Sequence, residues 1–559
     1  MFDRTGLLRA LLAVRLATMV PDIEAQLMAG KPQPTHADSL RGGLGPGRSW
    51  WDATHYDVSV RPDIAAHTLQ GSTRISFTVL REAQRMQLDL QVPLEADNIT
   101  WDAHGVQLPF EREGNVLWVR FPDTLNAGSH QSITVKYHGA PREARNPPWD
   151  GGWIWKTDAE GRPWVSVACQ GLGASVWYPC KDHQSDEPDS AALHITVPDS
   201  LQAVGNGRFK GRVAEGTGLA TWSWAVRSPI NTYNLVPYIG RYVEIHDRYT
   251  GETGPLDIQF YALADNEAKA REQFKQVRSM LKCFEHWFGP YPFQADGYKL
   301  VEAPHLGMEH QSAIAYGNRY LNGYLGQDLS GSGRGLQWDY IIVHESAHEW
   351  WGNNITTADL ADMWVHESFA NYAEGLYVEC REGKEAGAEY VRGTRHGIRN
   401  DQPIIPAYGL NRQGSGDMYP KGGNMLHTIR QVIGDDAKWQ RILRGLNATF
   451  RHRVVTGQQV QEYISREAGV DLRRVFAQYL TTTMIPTLEF RRDGGTPRYR
   501  WGNVVEGFDL PLPVRRGGRE YTVLHPTEAW QELPPAVSGT GTLEAHPDYY
   551  VRVREVEPR

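Results

Sequence analysis

Cysteine is nearly absent from this chain: 559 residues hold four, at positions 169, 180, 283 and 380. That scarcity excludes a small disulfide-stapled scaffold, and the spacings match no zinc ribbon. Only Cys169 and Cys180 are close in sequence, where a disulfide and two free buried thiols fit equally well. No run of 18 apolar residues occurs, so no membrane-spanning helix is expected. The stretch Leu7 to Val20 is apolar but broken by Arg9 and Arg15, and it has no small-residue cleavage site. It reads as a surface helix rather than a secretion signal, so a soluble protein is expected, with the cytoplasm preferred over a periplasmic or secreted location. A basic excess is also missing: the formal net charge is −8, which speaks against a nucleic-acid surface. There is no fixed-period repeat, which removes solenoids and propellers.

What is present is long enough for several hydrophobic cores. Alternating runs such as Tyr56 to Arg61, Thr73 to Val79 and Ser132 to Tyr137, separated by Gly, Pro, Asn and Asp, predict an extended β domain. From about Asn266 the apolar period changes to three and four, through Phe274, Val277, Leu281 and Phe284, and predicts a helix to Trp287. Further helical segments are expected around 422–434 and 457–479, and the Gly/Ser run Ser330 to Gly335 reads as a loop. After Pro486 alternation returns, in Tyr521 to Leu524 and Tyr550 to Val553. The expected class is α+β multidomain: an N-terminal extension 1–45, a β domain 46–245, a mainly helical domain 246–482 and a small β domain 483–559.

The helical domain carries the chemistry. His344-Glu345-Ser-Ala-His348 places two histidines four residues apart, one turn up on the same helical face, with Glu345 beside them. Glu367 follows after 18 intervening residues, in a second apolar helical stretch. Two histidines and a carboxylate leave zinc an open position for water, and the remaining glutamate is placed to take that water's proton. By chance a His-Glu-x-x-His string arises about 0.04 times in a chain of this composition, and the fixed later glutamate lowers that more than tenfold. Trp338, Ile341, Ile342, Ala347 and Trp351 give the motif an apolar face, and Gly352-Asn-Asn a stop. The expected cofactor is one Zn2+, with Glu345 as general base. Glu374, two turns beyond Glu367 on the same face, is placed to orient a zinc histidine.

Four ordered blocks then resemble the gluzincin aminopeptidase family, which includes aminopeptidase N and the leukotriene-hydrolysing enzymes. They are the zinc motif itself, Gly307-Met308-Glu309-His310, Tyr419-Pro-Lys-Gly422, and Trp177-Tyr-Pro-Cys180 running on to Asp186-Glu187-Pro188-Asp189, with Gln170 upstream. The resemblance implies a saddle-like N-terminal sheet, a thermolysin-like catalytic domain and a small C-terminal β domain, without the large helical domain of many relatives. It implies that Glu309 and Gln170 hold the α-amine of a peptide with a free N-terminus, that Gly307 and Met308 lie along its backbone, and that Tyr419 stabilises the oxyanion. His310 departs from the family's asparagine, which bears on hydrogen bonding to the substrate backbone. The implied function is a zinc aminopeptidase. The alternatives are a catalytically silent peptide-binding or scaffold protein on the same fold, or an epoxide hydrolase or endopeptidase using the same zinc site, with Glu309 arguing against the last.

Overall fold

The computed structural model describes residues 34–557 apart from 217, 494, 495, 519 and 540, so the helix expected from Leu7 to Val20 lies outside the described residues. The first half is built from strands whose alternation buries one face. In Trp51–Asp63 the residues Tyr56, Val58 and Val60 are buried, while their neighbours are at least partly exposed. This strand pairs antiparallel with Thr68–Val79 and parallel with Ser190–Pro198, at the centre of an eight-stranded sheet. A three-stranded and a four-stranded sheet complete the body, the latter containing the hairpin Gly152–Thr157 and Pro163–Ala168.

A five-stranded sheet follows, ordered Tyr242–Gly251, Gly254–Leu263, Tyr298–Glu302, Ile314–Tyr316, Gly307–Met308. Its first strand runs unbroken across residue 245, because Tyr242 to Gly251 pairs residue by residue with Gly254 to Leu263. Alternation assigns its two faces to two cores. Tyr298 and Leu300 pack among the helices, whereas Val301, Ala303, Met308 and Ala315 join the N-terminal core. The edge strand Gly307–Met308 is thereby held between both bodies.

The helices depart from expectation in their ends. The stretch from 266 to 287 is two helices, Glu267–Gln273 and Gln276–Phe288, and 457–479 is also two, Gly457–Ala468 and Arg473–Thr481, parted at Gly469 with φ +67°. A helix not marked in the sequence, Asp436–Thr449, buries Trp439, Ile442, Leu443 and Leu446. The last strands form a four-stranded and a three-stranded sheet whose apolar faces, Leu488, Trp501, Leu512 and Val514, merge into the helical core. Cys169 and Cys180 are free and buried, and the disulfide is Cys283–Cys380. It ties Gln276–Phe288 to the end of Trp364–Glu382, and its 97-residue separation gave the sequence no spacing to reveal it.

Candidate active site

Asp339 starts the helix Tyr340–Ala347 by accepting from the Ile341 and Ile342 amides, and it is itself held by Tyr316, Asn318 and Gln273. His344 and Glu345 lie on this buried helix and His348 at its C-cap. The chain then leaves helical geometry at Trp351 (φ −121°) and Gly352 (φ +126°). That break turns the Trp351 carbonyl back onto His348, whose Nδ1 donates to it at 2.9 Å. His344 Nδ1 donates to Glu374 Oε1 at 2.8 Å, so the position read from helical phase places Glu374 behind the first histidine. Both imidazoles therefore present a bare Nε2 to the cleft.

These two nitrogens lie 3.4 Å apart, and Glu367 Oε2 lies 3.5 Å from His344 Nε2 and 3.4 Å from His348 Nε2. Tetrahedral ligands about 2.1 Å from zinc are separated by about 3.4 Å, which is the edge of this triangle. Glu367 Oε2 has no hydrogen-bond partner. Three buried ligand atoms, two imidazole nitrogens and a carboxylate oxygen, converge on one point, and this set fits zinc. Burial pulls His348 down, but the Glu367 carboxylate outweighs it and holds the imidazole at about 9. Glu367 is held below the carboxylate range despite its burial, by His348 and His344. Protons on this cluster are what a metal ion displaces.

Glu345 stands beside the triangle, where burial pushes its carboxyl up to about 7 against the pull of His344 and His348. Gly307 comes against it: a Cβ there would lie 3.0 Å from Glu345 Oε1 and 2.8 Å from Ile341 Cγ2, so only glycine fits. Glu309 is buried just past the edge strand, its carboxyl raised by that burial despite His348 nearby. The Gln170 amide NH2 donates to Glu309 Oε1, which leaves the Gln170 oxygen for the cleft. The Tyr233 hydroxyl donates to the same Oε1 at 2.9 Å, and Asn353 Nδ2 to the Glu309 carbonyl at 2.8 Å. Tyr233 was not marked in the sequence; it sits on a short 3-10 turn, Thr232–Asn234, with no local motif.

Tyr419 precedes the helix Pro420–Ile433, its ring centroid 5.9 Å from that of His344. Burial and the nearby Glu367 and Glu309 carboxylates hold its phenol well above the usual value, so it remains a donor. This helix packs on the Glu367 helix with no room to spare: a Cβ at Gly422 would fall 1.9 Å from Ser368 Oγ, and one at Gly423 2.3 Å from Asn371 Oδ1. His310, expected to bear on the substrate backbone, has its ring buried instead, with Nδ1 2.6 Å from the Tyr238 hydroxyl, and it does not line the cleft. The cleft has a volume of about 520 Å³, and Gln170, Met308, Glu309, Glu345, Glu367 and Tyr419 all line it.

Residues 52–234 match the peptidase M1 N-terminal domain, and residues 272–479 match the peptidase family M1 domain. The chain belongs to peptidase family M1. Among curated M1-like relatives, the probable aminopeptidase 1 of Saccharolobus solfataricus is 21% identical over 75% of this chain and 52% of its own length. Human aminopeptidase B is 23% identical over 70% of this chain and 57% of its own. The chain thus spans about half the length of the curated relatives it matches. A Deinococcus radiodurans M1 zinc metallopeptidase, crystallised as a mutant with a Tyr-Ser-Ala substrate, superposes with a TM-score of 0.68. That likeness, at 22% identity, covers 80% of this chain and 98% of the other, and shows the shared M1 fold of β-rich N-terminal and helical catalytic domains. Among the described residues no helix is long and apolar enough to cross a membrane.

Proposed function

We propose that this chain is a zinc-dependent aminopeptidase, removing residues one at a time from the free amino end of peptides. The observation that carries this reading is a distance: Glu309, Glu345 and His348 each offer an atom within 4.8 Å of the others. An α-nitrogen bonded to Glu309 has its own carbonyl carbon about 2.5 Å further on, two bonds away. The first peptide bond then lies at Glu345 and the histidines, and no later bond does.

His344, His348 and Glu367 would hold zinc, which when bound supplies a Lewis acid. Glu345 accepts a proton from the attacking water and returns it to the departing amine. The Tyr419 phenol donates to the carbonyl oxygen as charge gathers there. Glu309 and the Gln170 oxygen hold the cationic amine, and an internal segment without that charge would leave a buried carboxylate unpaired. Gly307 and Met308 offer backbone along the substrate, and Glu374 fixes the His344 ring.

The test is hydrolysis of aminoacyl-arylamides beside amino-blocked counterparts, with a chelator and with zinc restored. Cleavage confined to free amines, lost to chelation and regained with zinc, is expected. Equal cleavage of both series, or of neither, would remove the reading.

A further inference from the structure

A second cavity, of about 540 Å³, opens beside the cleft, and Leu306 lines both. It lies between the N-terminal hairpin and the end of the catalytic sheet, where Glu302 leads toward Gly307. Lys156, Lys269 and Arg319, all exposed, line it, and Lys156 and Arg319 have no carboxylate partner among the described residues. Lys156 Nζ donates to the Pro304 carbonyl at 2.7 Å, and Lys269 Nζ donates to Asn266 Oδ1 at 3.2 Å and draws on the Glu302 carboxylate. The Arg319 guanidinium has neither an ion pair nor a hydrogen bond among the described residues.

Two carboxylates share this cavity. Asp158 accepts from Arg162 Nε at 2.5 Å and from amides of its own turn. Glu302 accepts from the Leu263 amide, Asn266 and Tyr320, each at 2.7 Å. His305 also lines the cavity, 6% exposed, and burial with Lys156 nearby pushes its imidazole down to about 3, so it is neutral. Three cations face two carboxylates here, and exposed Lys156 and Arg319 have no carboxylate beside them, so the lining keeps a positive excess that an anion would complement.

The direction of the cleft says which anion. The strand Gly307–Met308 is the edge of its sheet, paired on one side only, with Ile314–Tyr316. A peptide with its amine at Glu309 and its first carbonyl at Glu345, which touches Gly307, runs back past Met308 and Gly307 toward Leu306. At about 3.3 Å per residue, an extended pentapeptide spans about 16 Å from its amine, enough to pass Leu306 toward the second cavity.

Resting on the aminopeptidase reading, we propose that the second cavity is an anion-receiving extension of the cleft. It binds the distal, carboxylate-bearing part of the substrate, and so favours short peptides with a free C-terminus over capped ones. The test uses pentapeptides of one sequence, as C-terminal acid and as C-terminal amide. They are offered to the wild type and to a Lys156→Ala/Lys269→Ala/Arg319→Ala variant, with an aminoacyl-arylamide too short to reach the cavity as reference. The acid should exceed the amide about tenfold in kcat/KM through KM, the variant should lose that difference, and arylamide turnover should not change. Binding to the Glu345→Gln protein should show the same tenfold difference in Kd. Arylamide turnover with acid and amide equal in the wild type, or a preference that survives in the variant, overturns the proposal; absence of arylamide turnover instead overturns the aminopeptidase reading.

Discussion

A carboxylate that burial raises to about 7 can take a proton from water and surrender it within one turnover. Glu345→Gln keeps the shape and removes that exchange, so kcat should fall about 10³-fold while metal analysis still finds one zinc per chain. Substantial residual turnover would assign the base elsewhere. Tyr233 acts through another residue. Its hydroxyl and the Gln170 amide both donate to Glu309 Oε1, which leaves Oε2 for the amine in the proposed function. In Tyr233→Phe, KM for free-amine arylamides should rise about tenfold with kcat within twofold. A fall in kcat at constant KM would assign the hydroxyl to the chemistry or the fold. His344, Glu345, His348 and Glu367 were legible because a helix converts spacing into geometry. Tyr233 was not, since it meets Glu309 across 76 residues from another body of the protein.

Between helices, the gauge is a missing side chain. Gly422 lets the Pro420–Ile433 helix touch Ser368, one residue from Glu367, and so sets where Tyr419 stands relative to the His344, His348 and Glu367 triangle. Gly422→Ala should displace the phenol and lower kcat about 10²-fold with KM little changed. Combined with Tyr419→Phe it should cost no more than Tyr419→Phe alone; additive losses would place the effect outside the tyrosine. Patterning told which segments are helices better than where they end. Apolar residues continue in phase across Phe274 and Val277, so the break between Gln273 and Gln276 left no trace. Trp439, Ile442, Leu443 and Leu446 did carry the period of the unmarked helix, directly after another that ends at Gly434.

At the scale of the whole molecule, the turn before the last strand braces the helix that follows Tyr419 and its neighbour Lys384–Gly393. The Asp548 carboxylate accepts from Arg392 at 2.5 Å and lies 3.4 Å from His427 Nε2, and the Tyr550 amide donates to Thr428 Oγ1 at 3.0 Å. Burial pushes the Asp548 carboxyl up, but His427 and Arg392 outweigh it and hold it below the ordinary range. A folded value below the unfolded one, about 3.9, gives a contribution that is complete above about pH 5 and lost as pH falls toward the folded value. Asp548→Asn should therefore cost about 3 kcal/mol at pH 7 in denaturant melts, and the gap to wild type should begin to narrow below about pH 4 and shrink further as the pH falls. A gap independent of pH would deny the carboxylate that role. The sequence showed strands after Pro486 but not their partner, because alternation reports a buried face without saying what buries it.

The edge strand has a consequence for repeated turnover. In the proposed exopeptidase cycle, a peptide shortened by one residue would have to advance one position along Gly307–Met308 before its new amine met Glu309. Side chains of an extended chain alternate between two sides, so each advance exchanges those facing the wall with those facing solvent. A peptide whose odd and even positions differ in bulk would be degraded in a two-beat rhythm, fast and slow steps alternating along its length.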